Sequence, residues 1–278
     1  MSGESGRFLT INNVGSVMSA TINESRTPES YVASNTAGGT SRGGGVSDWS
    51  ASLAGKGGFP PVFPNDQFAL QVYSYPDNGI EGGDGLRYIG DCICSQIAIT
   101  WNHVNNQLTS WTAELASRSS LTTDTGAPFP DATPVSQDYP CGTFPTADGV
   151  EIPAITTSTL TITANLSEAN NSSTRDAAGC FIQRNPGPID WTWSATQEDY
   201  RRGLAGYPAL GDRMILNLPI NDTQAWDLKW GQQIDYTSLT FNTDGTNITR
   251  QLNVGMVAND GTGIGSINQP DGTLKWGV

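Results

Sequence analysis

Apolar and polar residues alternate one for one through much of this chain. "STLTITAN" at Ser158 to Asn165 and "DWTWSA" at Asp190 to Ala195 are examples, and a period of two sets alternate side chains on opposite faces of a strand. The same alternation at Ser16 to Asn23 and Asp48 to Leu53 predicts two more strands, with Trp49 and Trp191 on one face and their Asp neighbours off it. Apolar runs, "FALQV" at Phe68 to Val72 and "MILNL" at Met214 to Leu218, read as further strands. So do "ITWN" at Ile99 to Asn102 and "LTFN" at Leu239 to Asn242. "NTDGTN" at Asn242 to Asn247 carries the Asp-Gly hairpin signal, and "NHVNNQ" takes its place earlier in the chain. "TQEDYRRGLAGYP" at Thr196 to Pro208 predicts a short helix. The expected class is all-β with one short helix per unit.

These segments recur in order. Laying each residue on the one 142 positions later sets Asp48-Trp49 on Asp190-Trp191, Thr21-Ile22-Asn23 on Thr163-Ala164-Asn165, Ser25 on Ser167 and Gly45 on Gly187. With the offset drifting to 140, Ile99 to Asn102 falls on Leu239 to Asn242. An internal duplication leaves such a trace. The expected organisation is a first β-domain over 1–118, a Pro- and Thr-rich linker or arm over 119–149, a second β-domain over 150–257 and a C-terminal hairpin over 258–278. Each domain is a small sandwich or barrel, and the hairpin pairs with its own sheet or a neighbouring subunit's.

Composition supports strands and turns over helices: 278 residues hold Gly 32 and Pro 16, with only 15% charged. A hydrophobic fraction of 36% with Trp 8 suffices for a core. The net charge of -13 argues against tight binding of a nucleic-acid backbone, which needs clustered Lys and Arg. "MSGESGRFLTINNVGS" has no basic segment followed by an apolar one, and no apolar run approaches the ~18 residues of a membrane span. The expectation is a soluble chain made in the cytosol, without a membrane partner.

Little in the chain assigns catalytic chemistry. The single histidine, His103, lies in a proposed turn without a nucleophile motif nearby and reads as an ordinary turn residue. Asp77, Glu81 and Asp84 in "PDNGIEGGDG" lack the spacing of a calcium loop and read as solvated. "GGTSRGGG" at Gly38 to Gly45 lacks the Lys-Ser/Thr end of a phosphate loop and reads as a flexible excursion. Cys92 and Cys94 are too close for the usual zinc-finger spacing, and pairing among Cys92, Cys94, Cys141 and Cys180 stays open. Trp49, Trp191 and Trp193 read as core and second-face packing, whereas a sugar platform would need exposed rings. No enzyme, cofactor or metal is expected.

"SDWSAS" at Ser47 to Ser52 and "IDWTWS" at Ile189 to Ser194, in their order of strand, polar loop, Trp strand, short helix and hairpin, resemble the tail-tube proteins of long-tailed bacteriophages. The resemblance covers residues 8–115 and 150–254 and excludes the linker. It implies two tandem tail-tube-like β-sandwich or barrel domains in a virion tail subunit that self-associates into stacked rings. Family members commonly use six single-domain subunits per ring, so three doubled chains would give a pseudo-hexamer. Its partners would be further copies, other phage tail proteins and double-stranded DNA passing without tight binding. Assembly and core candidates are Asp48, Trp49, Trp101, Asp190, Trp191 and Phe241. A capsid-decoration, baseplate or hub protein, and a carbohydrate-binding adhesin, are the alternatives.

Overall fold

The structure, a computed structural model, describes residues 7–9, 17–32, 39–74, 86–104, 108–125, 144–169, 175–176, 179–180, 182–198, 205–233, 239–240, 248–259, 261 and 263–277. The chain is all-β: no helix occurs among the described residues, and the longer strands join one antiparallel sheet. The β-branched and aromatic residues that alternate along these segments favour a pleated, half-buried surface.

In the first half, strands lie side by side in the order Val17–Tyr31, Ser41–Lys56, Ser110–Ser117, Leu86–Asn102 and Gln67–Ser74, with Arg7–Leu9 on the far edge. In the second half the order is Ile155–Ala164, Ile189–Gln197, Thr249–Met256, then Ala225–Gln233 with Leu239–Thr240, then Arg213–Pro219, with Thr146–Ala147 on the far edge. Thr122–Thr125 flanks Leu86 to Ile89, and Ser266–Asn268 flanks Asp227 to Lys229, on corresponding sides. Ile99 pairs with Trp111 as Leu239 pairs with Arg250.

The first strands correspond at a different offset from the one their sequences suggest. Trp49 faces Glu24 and Trp191 faces Ile162, so Glu24 and Ile162, 138 residues apart, hold the same place. Two features agree. A register shift falls between Val17 and Ser19 in one half and between Ile155 and Thr157 in the other. A Cβ on Gly45 would stand 2.1 Å from the Thr27 carbonyl oxygen, and one on Gly187 1.7 Å from that of Asn165. Laying Thr21-Ile22-Asn23 on Thr163-Ala164-Asn165 is therefore four residues out. A strand repeats every two residues, so an even slip keeps the inward and outward sets intact and leaves no mark in the pattern.

Other expectations are corrected. The first-half connection from Gly57 to Asp66 runs through turns and bends without a helix, because Pro60, Pro61 and Pro64 remove backbone donors and clash with a helical turn. Of the predicted second-half helix, Thr196 and Gln197 instead end the strand Ile189–Gln197 and Ala205 and Gly206 form a turn, while 199–204 lie outside the described residues, as does the Asp-Gly turn. Ser41 to Gly45, read as a flexible excursion, extend a strand paired with Glu29 to Tyr31. The segment read as a linker contributes strands at both ends, Thr122–Thr125 and Thr146–Ala147, and Ser266–Asn268 pairs with Leu274–Gly277 as a hairpin on the chain's own sheet.

One apolar cluster runs through both halves, with Leu53, Ile97 and Trp101 from the first and Leu160, Trp193 and Leu252 from the second. Burying each such side chain contributes roughly 2–3 kcal/mol, before the loss of chain entropy.

Candidate assembly interface

The halves meet edge to edge. The C-terminal part of Leu86–Asn102 has Ser110–Ser117 on one side and Ile155–Ala164 on the other, with Ile97 opposite Ile162, Ile99 opposite Leu160 and Thr100 opposite Thr159. On the outer face the hydroxyls of Thr100 and Thr159 lie 3.2 Å apart in a hydrogen bond, and on the inner face the isoleucines and Leu160 are fully buried. The joint thus combines a backbone ladder, a cross-strand Thr pair and a dry apolar row.

Behind the ladder the halves interlock through aromatic rings. Trp101 donates its indole N–H to the Pro219 carbonyl at 3.1 Å, and Trp226 donates to that of Gly58 at 2.8 Å. Phe63 stacks on Trp226 with ring centroids 6.4 Å apart, and Phe59 meets it edge-on at 6.3 Å. Gly58 is required there, because a Cβ would lie 2.2 Å from an Ile220 methyl carbon.

An ionic clasp closes the outer rim. Arg184, on the short strand Gln183–Asn185 of the second half, grips Asp48 of the first with two hydrogen bonds of 2.7 and 2.8 Å, in the bidentate geometry that makes Arg-carboxylate pairs strong. Ser117 donates to the same carboxylate at 2.7 Å, and Glu168 lies 3.2 Å from the guanidinium. The Arg184 hydrogen bond holds the Asp48 carboxyl below its usual range, and Asp48 in turn raises Arg184. Nearby, Asn65 and the Gly187 backbone exchange hydrogen bonds of 2.8 and 3.1 Å.

The sequence candidates therefore separate. Trp49, Trp101 and Trp191 are core residues, at 3%, 1% and 1% exposure. Trp193 is also buried, on the same face as Trp191, as residues two apart in a strand are. Gly90 and Gly231 each leave room for an indole, that of Trp49 and that of Trp191. Asp48 belongs to the clasp, Asp190 is exposed, and Phe241 lies outside the described residues, as do Asp77, Glu81 and Asp84. Arg184 went unnoticed in the sequence; the signal was an Arg six residues before the repeated Asp-Trp, in "RGGGVSD" at Arg42 to Asp48 and "RNPGPID" at Arg184 to Asp190.

His103 lies in a turn, as expected, and also reaches across the joint. Its ring nitrogen lies 3.0 Å from the Ser158 hydroxyl across the joint, its backbone N–H donates to the Thr156 carbonyl at 2.8 Å, and burial pushes its pKa down to about 4. Cys92 and Cys94 are free thiols on the buried face, and burial pushes Cys92 up to about 12 and Cys94 further in the same direction. Such thiols are inert as nucleophiles. No family model and no curated protein matches this chain.

Proposed function

We infer that this chain is a structural subunit that polymerises into stacked rings around a DNA-conducting channel, in the manner of the phage tail-tube proteins its Trp strands resemble. In this reading the chain is an internal repeat, three chains close one ring, and the assembly forms part of a virion tail after synthesis in the host cytoplasm.

The observation that carries the reading is the edge-to-edge joint. Two halves with one strand order are joined head to tail, the later edge of one to the first strand of the other, and a contact of that kind can be repeated until a ring closes. A lone binding module has no need of it. The buried tryptophans give no sugar platform, which lowers the adhesin alternative. The net charge of -13 suits a channel wall that repels phosphates, so that a duplex slides without sticking.

Electron microscopy of the purified full chain, with its mass in solution, tests this. Stacked rings with a central hole and three chains per ring are expected. Monomers or compact trimers that never stack, at any concentration or salt, would overturn the reading in favour of a decoration protein.

A further inference from the structure

Among the described residues, the joint inside the chain has an unmated counterpart at two outer edges. The strand corresponding to Ile155–Ala164 is Val17–Tyr31, whose edge away from Ser41–Lys56 pairs with no strand among the described residues. The strand corresponding to the C-terminal part of Leu86–Asn102 is Leu239–Thr240, which among the described residues pairs only with Thr249–Met256. Among the described residues, two edges without a strand partner are thus left at opposite ends of one repeating arrangement.

The residues at these edges match those of the joint. Carrying the observed pairing across by sheet position, Ile99 opposite Leu160 becomes Leu239 opposite Ile22, and Thr100 opposite Thr159 becomes Thr240 opposite Thr21. Apolar meets apolar and Thr meets Thr. Thr21 and Thr240 are both exposed, as Thr100 is at the joint.

A separate part of the structure gives the same answer. The clasp sets Arg184 of the second half on Asp48 of the first, and the other members of the two "RxxxxxD" motifs are Arg42 of the first half and Asp190 of the second. Asp190 is exposed on its strand. If the first half of another copy docks as the second half docks here, Arg42 arrives at Asp190. The match is incomplete in one respect: Met256 takes the sheet position of Ser117, so this clasp lacks the added hydroxyl.

We propose that Val17–Tyr31 of one copy adds as a strand to the edge of Leu239–Thr240 of the next, with Thr21 opposite Thr240 and Arg42 on Asp190, the partner being a second copy of this chain. Backbone hydrogen bonds supply the attachment, as in other strand additions, while the Thr pair and the clasp fix the register. The contact is heterologous, one edge against a different edge, so each copy binds two neighbours. It rests on the ring-forming reading above and specifies the joint.

The test is a pair of single variants of the full chain, Thr21→Cys and Thr240→Cys, mixed, mildly oxidised and run on a non-reducing gel beside the wild type. The expected result is a covalent dimer in the mixture only. The variant carrying both cysteines should give a ladder of multimers, and pairing Ile22→Cys with Thr240→Cys should give no dimer, because Ile22 points to the other face. A charge exchange is independent of disulfide geometry: Arg42→Asp or Asp190→Arg alone should lose assembly, and the two together should restore it. Rings by microscopy without the 21–240 cross-link and without charge-exchange rescue would overturn this joint and leave the ring reading standing. A specific 21–240 cross-link with assemblies that never close into rings would support the joint and overturn the ring.

Discussion

At the scale of the residue, the joint between the halves carries a group sensitive to pH. His103 sits against Ser158 with its pKa lowered from 6.5 to about 4 by burial. The unfolded chain takes up a proton as pH falls through 6.5, while the folded chain refuses it until about 4, so the stability this residue permits is complete above 6.5 and drains away between those values. The slope cannot exceed ~1.4 kcal/mol per pH unit for one group, and partial solvent access keeps it lower. Unfolding free energies in urea at about pH 7.5 and about pH 5 should fall further in the wild type than in His103→Gln, in which nothing titrates at this position. Equal losses would remove His103 from the account. In sequence the residue was visible only as a lone histidine near a turn, because Ser158 and Thr156 come to it from the other half.

At the scale of the element, the alternating pattern revealed that strands exist and which face each buries, but not how far one has slid along another. The Trp strands are anchored by their indoles, large enough to require Gly90 and Gly231 opposite them, and could be matched by eye. The first strands carry small Thr, Ser and Asn residues, and a slip of four leaves their two faces unchanged, so their register is decided by backbone contacts that no pattern displays. The glycines expose that decision. An added Cβ at Gly187 would lie 1.7 Å from a backbone oxygen, a neighbour that cannot rotate away, and at Gly45 a positive φ of 95° compounds the same clash. Gly187→Ala should therefore destabilise the fold by about 2–3 kcal/mol in urea titrations. Gly149→Ala meets no atom within 4 Å and should show only the strain of a positive φ, about 1 kcal/mol. Similar losses at the two sites would mean that the close approach of Gly187 to Asn165 is not a constraint. Prolines limited the reading in the opposite way: the helix expected in each unit came from the second half, and Pro60, Pro61 and Pro64 forbid it in the first.

At the scale of the whole molecule, two electrostatic effects of opposite sign would act on the proposed assembly, and their ranges separate them. The Arg184–Asp48 clasp within the chain, the pattern for the proposed Arg42–Asp190 contact, works at 2.7 to 2.8 Å with Arg184 only 14% exposed, well inside any screening length, so moderate salt scarcely alters it. The net charge of -13 acts between copies over tens of ångströms, where raising salt from ~0.01 M to ~0.15 M shortens the screening length from ~30 Å to ~8 Å. Repulsion should therefore weaken with salt faster than the clasps do, and assembly measured by sedimentation should strengthen over that range. Duplex DNA should remain unretained throughout, since a net charge of -13 opposes its phosphates. Assembly that falls steadily as salt rises would reverse the ranking: exposed ion pairs, rather than strand ladders, would then hold the copies together, and edge pairing would lose its place as the main attachment.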